Sequence, residues 1–253
     1  MAIGRSVSSR RSFRRGVAVV VWVFSGGGEA ELEGLTHFLG KNFPDCRFVR
    51  MTPVRPKKGP KVGKKINALG KSGKSLRSQI RYRIRVTPLF DYCDLILVLD
   101  DLDCRNATDE TSCFSAIFVN DPKTVHSRFF IAFAAPELEA WLIADWNNTF
   151  AADSDFRSFH ERLRYTLSTR YHIPFNNPEN FSQYDPATNA CEQKLSDEIK
   201  NAVAESSPAN NLGARYSKGI HTPRMLQRAI AENIAEKCPL FRDMYDCLNG
   251  LSR

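Results

Sequence analysis

Residues 94–103 read DLILVLDDLD: an unbroken apolar run from Leu95 to Leu99, closed by Asp100, Asp101 and Asp103. A short apolar run without alternation marks a strand buried on both faces, as in a parallel sheet covered by helices. The acids then fall at the carboxyl end of that strand, the edge where open α/β sheets form their sites. The pattern repeats on either side. Residues 17–24, VAVVVWVF, form a second such run between Gly16 and Gly26. A triple-glycine turn and EAELEGLTHFL follow, with Leu32, Leu35, Phe38 and Leu39 at helical spacing and acids in the first turn. Residues 47–54 and 129–134 read as further strands. Ser75 caps an expected helix over 76–85 with Leu76, Ile80 and Ile84 on one face. Pro136 suits the N1 position of a helix over 136–146 that buries Leu138, Trp141, Leu142 and Trp146.

The fold class expected is therefore α/β, a mostly parallel sheet with helices on both faces. Past residue 146 no strong strand is legible, and 155–171, 190–205 and 224–248 read as helices. The domain reading is a basic flexible tail over 1–15, an α/β domain over 16–146 with a basic insertion at 55–75, and a helical C-terminal subdomain over 147–253.

The net charge of +8 conceals an asymmetry. Residues 1–90 carry 20 lysines and arginines against four acids, whereas 91–253 carry 16 against 24. A one-sign field of that size attracts polyanions, nucleic acid first. Lys57, Lys58, Lys61, Lys64, Lys65, Lys71, Lys74, Arg77, Arg81 and Lys218 are the expected phosphate contacts, point charges that read no sequence. The eight-residue apolar run is far short of a membrane span. Ser9-Arg10-Arg11-Ser12-Phe13 resembles the start of an export signal, yet the run behind it reads better as a strand. Seven cysteines, odd in number and without a CxxC pair, speak against a zinc site and a disulfide framework and fit a reducing cytoplasm.

Lys71-Ser72-Gly73-Lys74-Ser75 has the ending of a phosphate loop, but Ala68 stands where the first glycine belongs and a lysine-rich loop precedes it. Nucleotide hydrolysis is not expected. Asp101 and Asp103, at i and i+2 after a buried strand and supported by Asp100, form a platform for a hard cation such as Mg²⁺ or Mn²⁺. Glu29, after the triple-glycine turn, supplies a third carboxylate, and the set fits metal-assisted phosphodiester chemistry. Glu137 and Glu139 suit a helix start, either as dipole partners or as members of the acidic cluster.

Together the words Gly26-Gly27-Gly28-Glu29, Asp101-Leu102-Asp103 and residues 136–145, PELEAWLIAD, resemble the topoisomerase–primase (TOPRIM) type of domain. More narrowly, they resemble bacterial TOPRIM-like proteins akin to the RloB and OLD nuclease groups. Arg215-Tyr216-Ser217-Lys218, His221-Thr222-Pro223 and residues 237–241, KCPLF, extend the likeness. The resemblance implies a Mg²⁺-dependent nuclease-type site with Asp101 and Asp103 as metal ligands. Glu29 would match the family's later acid and take the leading glutamate's part, as ligand or acid/base group, only where the turn brings it inward, and Glu139 and Asp145 would match the helix acids. It also implies a defence component working beside an ATPase on another chain. The family's leading glutamate after the first strand is Ser25 here, so a nucleic-acid-binding or regulatory subunit with weak catalysis is the alternative. A small-molecule phosphate-ester hydrolase is a third reading.

Overall fold

A computed structural model describes residues 18–26, 28–52, 74–87, 93–208 and 215–251. The expected tail and nearly all of the basic insertion, with Lys57, Lys58, Lys61, Lys64, Lys65 and Lys71, lie outside the described residues, as do the side chains of Lys74 and Glu29.

The first half alternates β1 (Val19–Ser25), α1 (Glu29–Asn42), β2 (Cys46–Arg50), α2 (Lys74–Val86), β3 (Leu95–Asp101), α3 (Ala107–Val119) and β4 (Phe129–Ala134). All four strands are parallel, in the order β2-β1-β3-β4. From β1 the chain crosses outward to β2, then back past β1 to β3. Right-handed crossovers of opposite direction put their helices on opposite faces. Accordingly Val19, Val21, Val23, Leu95, Leu97 and Leu99 pack with α1, and Trp22, Phe24, Ile96 and Val98 pack with α2 and α3. The order reverses between β1 and β3. Their carboxyl ends, Ser25 and Asp101, flank that switch point.

The chain then adds α4 (Glu139–Ala144), α5 (His160–Thr169), a hairpin of β5 (Tyr184–Asp185) and β6 (Ala190–Cys191), α6 (Leu195–Ser206), α7 (Lys218–Leu226), α8 (Ala231–Lys237) and α9 (Pro239–Asn249). Their apolar sides join one continuous cluster with α1 and one face of the sheet, so the core does not divide at Trp146. Phe38 of α1, Trp141 of α4 and Phe241 of α9 meet at its centre, with Trp141 and Phe241 edge-on at 4.7 Å. α1 and α7 come closest at Gly34, where a Cβ would collide with the backbone of Pro223.

Structure and expectation part in several places; the helix expected over 224–248 is the end of α7 followed by α8 and α9. Pro136 does not open a helix: the Ala135–Pro136 bond is cis, and α4 starts at Glu139. α4 is buried all round rather than on one face. Cys104 and Cys191 are joined by a disulfide, their Cα atoms 5.0 Å apart, which corrects the expectation drawn from cysteine number and spacing. Among the described residues no helix is long and apolar enough to cross a membrane.

Candidate active site

β3 ends at the sheet's C-terminal edge. Its alternation sends Asp101 to the same face as Leu97 and Leu99 and sends Asp100 to the opposite face with Ile96 and Val98. Only one of the two adjacent acids can thus meet α4. Asp101 Oδ1 accepts the backbone N–H of Leu138 at 3.0 Å, which ties the strand end to the start of α4. Just beyond, Asp103 and Cys104 both have positive φ, 49° and 59°. Arg105 braces this bend, donating to the carbonyls of Asp101 and Leu102 at 2.9 Å each and meeting the Asp103 carboxylate at 3.4 Å. Asp103 therefore stands beside Arg105, one step away from the acids that converge.

Those acids are Asp101, Glu137 and Glu139. Glu139 has no exposed surface, and Glu137 is 4% exposed. Lys218, the first residue of α7, lies against both: its Nζ is 2.9 Å from Glu139 Oε2 and 3.3 Å from Glu137 Oε2. Each glutamate is also held from another direction. Tyr216 and Thr222 hydroxyls both donate to Glu139 Oε1 at 3.0 Å, and the Ser196 N–H donates to Glu137 Oε2 at 3.3 Å. Burial comes first in holding the Asp101 carboxyl well above the usual range. Glu139, Glu137 and Asp103 add to it, against the opposing pull of Lys218. For Lys218 burial works the other way, yet Glu139, Asp101 and Glu137 together raise its pKa, so the ammonium stays charged.

Among the described residues the cluster sets three acids against one ammonium in a partly buried place. Beside it, at the end of β1, Ser25 exchanges backbone bonds with the Thr52 hydroxyl at 2.8 Å. Its residue is 4% exposed, it shares the sheet face of Asp101, and its Oγ has no hydrogen-bond partner among the described residues. The oxygen donors suit a hard divalent cation. As arranged, the cation among them is Lys218, and no three acids of the described residues stand together at metal-holding distances.

The remaining sequence candidates fall elsewhere. Asp145 closes the far end of α4 and accepts from Asn148 and Asn233 side chains and the Ile230 N–H, each at 2.8 Å, so it caps α8. Arg77 pairs with Glu110 and stacks on Phe114 at 5.0 Å. Arg81 is exposed on α2. Tyr216, Thr222 and Ser196 enter the site without having been singled out as site residues, and Lys218 enters as a partner of carboxylates rather than of phosphate. The words containing Tyr216 and Thr222 were legible, but nothing in their spacing ties them to Glu139.

A family model described as a domain of unknown function, DUF4276, matches residues 35–249. The chain belongs to the DUF4276 family. The match takes in every member of the cluster but not Ser25. No curated protein and no solved structure matches the chain. For this DUF4276 member, geometry and chemistry carry the functional reading.

Proposed function

We propose that this protein is a TOPRIM-like, divalent-metal-dependent hydrolase of nucleic-acid phosphodiesters, a defence effector working beside an ATPase on another chain. The observation that carries the reading is that buried Glu137 and Glu139 pair with Lys218 close to Asp101, at the carboxyl end of the sheet. Buried like charges at such an edge are costly to keep unless they hold something. Asp101, Asp103 and Glu29 are the residues proposed to hold Mg²⁺ or Mn²⁺, with Glu137 and Glu139 as accessory acids, although among the described residues no such group stands assembled. Such an ion would offset phosphate charge and activate water. Tyr216 and Thr222 orient Glu139, and the Leu138 N–H orients Asp101, so the oxygens are fixed before any ligand arrives. Lys218 would meet a phosphate oxygen only on leaving Glu137 and Glu139, and the lysine-rich 55–85 segment would gather the polyanion.

A binding-only subunit is the second reading, favoured by Ser25 in place of an acid and by Lys218 between the carboxylates. Purified protein with Mg²⁺ or Mn²⁺ and plasmid, single-stranded DNA or tRNA separates the two. Cleavage that disappears in Glu139→Gln while binding persists supports the hydrolase; binding by the parent without any cleavage supports the alternative.

A further inference from the structure

We infer that the β5–β6 hairpin is a flap latched by the Cys104–Cys191 bond over a cavity at the sheet's carboxyl edge, and that a dithiol reductant unlatches it. The hairpin has little else to hold it. Its strands are two residues each, too short to persist unaided. Among the described residues, every hydrogen bond of 182–193 stays inside that segment. The Glu192 N–H donates to the Gln183 carbonyl and the Gln193 N–H to Ser182 Oγ, both at 2.9 Å, and the Tyr184 hydroxyl donates to Asn189 at 2.8 Å. Phe181 and Leu195, at either end, are buried in the core; between them Cys191 is the only buried one of the described residues. Its bond to Cys104 is the tie between hairpin and sheet. A cavity of about 510 Å³ is lined by Leu102 and Pro136 at the sheet's edge, by Arg105, Glu179 and Leu240, and by Tyr184 of the hairpin. A second, of about 410 Å³, shares Cys104, Arg105 and Tyr184. Leu102 stands between Asp101 and Asp103, so the space beneath the flap borders the candidate site. The latch itself does not depend on the metal reading of that site.

Exchange is open from one side. Cys104 is partly buried and lines both cavities, whereas Cys191 is 8% exposed. A thiolate of the reductant therefore attacks Cys104 Sγ; the Cys104–Cys191 bond breaks, and its electron pair leaves on Cys191 Sγ, which takes up a proton. The reductant's second thiolate then attacks its own sulfur in the mixed disulfide and expels Cys104, which is protonated in turn. The reductant ends as a cyclic disulfide and the protein holds two thiols. Left-handed backbone lies at both attachment points, with φ of 49° at Asp103, 59° at Cys104 and 54° at Asn189. Such backbone persists where its surroundings impose it, and breaking the bond removes part of that constraint. Hydrogen–deuterium exchange of the whole chain, with and without dithiothreitol, reads the latch. Reduction should speed exchange over 182–193 about tenfold and leave β1, β3 and α4 as slow as before. Alkylation of Cys104 and Cys191 by iodoacetamide, followed by mass spectrometry, reports whether the bond has opened. Cys191→Ser should exchange fast over the same segment with or without reductant. Unchanged exchange after both cysteines are alkylated, or a Cys191→Ser variant as slow as the oxidised parent, overturns the flap. So does acceleration that spreads through β3 and α4, which would make the bond a staple of the whole fold. A bond that dithiothreitol leaves intact in the folded protein overturns the unlatching.

Discussion

Two charge clusters flank α7, and they differ in balance. At the start of the helix, among the described residues, Lys218 faces Asp101, Glu137 and Glu139. Farther along, Asp153 and Asp155 meet Arg224 and Arg228. Arg224 spans the fully buried Asp153 with bonds of 2.8 and 2.6 Å, Arg228 adds one of 2.6 Å, and Arg224 also reaches Asp155 at 2.9 Å. His221 accepts the Ser217 N–H at Nδ1, which leaves Nε2 facing Asp155 at 3.2 Å. Its hydrogen bond from Arg224 is the main reason Asp155 titrates below its usual range. In the second cluster charges match in number and every Asp153 oxygen is taken: it is a strut fixing the 153–155 turn to α7. In the first, acids outnumber bases. Balanced buried charge holds structure, while surplus buried charge keeps a capacity to bind.

The comparison breaks most visibly at Asp153. Asp153→Ala strands two partly buried guanidiniums and should cost about 3–5 kcal/mol in denaturant unfolding. A loss below about 1 kcal/mol would erase the distinction between strut and site. Gly34→Ala comes next: the new Cβ has no room against Pro223, and prising α1 from α7 should cost about 2–3 kcal/mol and disturb both clusters. Thermal unfolding, with Lys218 acylation as a local probe, measures both effects.

Glu179 provides a third case, a carboxylate among backbone amides that forms no ion pair among the described residues. It accepts the Leu240 and Phe241 N–H groups at the start of α9, at 2.8 and 3.1 Å. Burial raises its pKa from 4.5 to about 7, with those two bonds working against the rise. A folded pKa above the unfolded value means that the group favours the fold below about pH 4.5. That advantage is lost as pH rises through about 7. Glu179→Gln, neutral throughout, should flatten the slope; since its amide nitrogen cannot accept one of the two N–H groups, the net gain at pH 8 should be at most about 1 kcal/mol. A stability–pH curve identical to the parent's would show the carboxylate to be solvated.

The smallest effect should be at Asp101. Asp101→Asn keeps the oxygen that accepts from Leu138 and removes one repelling charge. Because the folded pKa is raised, charge on Asp101 disfavours the fold above its unfolded value of about 3.8. The variant should gain about 1 kcal/mol at pH 7, and the gain should shrink as pH falls toward 4. Opposite signs for Asp101 and Asp153 would separate surplus charge from matched charge. A destabilised Asp101→Asn would mean that Lys218 leans on Asp101 as Arg224 leans on Asp153.

The strands were legible because burial on both faces leaves an apolar run that local sequence records directly; residues 129–134 coincide with β4. α3 was not read. Its helix is rich in Thr and Ser, and its buried residues, Phe114, Ile117 and Phe118, crowd the second half. A cap signal was present: Asn106 accepts from Thr108 and Asp109, with Asp109 and Glu110 in the first turn. In the site, acids at the end of β3 were legible from position alone. Period two separates Asp100 from Asp101, and six helical residues put Asp145 about 9 Å along α4 from Glu139. The contacts of Glu139 with Tyr216, Lys218 and Thr222 span more than 75 residues of chain, and no local pattern encodes them.

The bond between Cys104 and Cys191 has a topological consequence. It closes the chain on itself across a separation of 87 residues, making a covalent ring that contains β4, α4 and α5 and begins one residue after Asp103. A protease cutting once inside that ring, at the exposed β5–β6 turn for instance, opens it without parting the chain. The nicked protein would migrate as a single species until a thiol reductant released two fragments, one bearing Asp101 and the other Lys218.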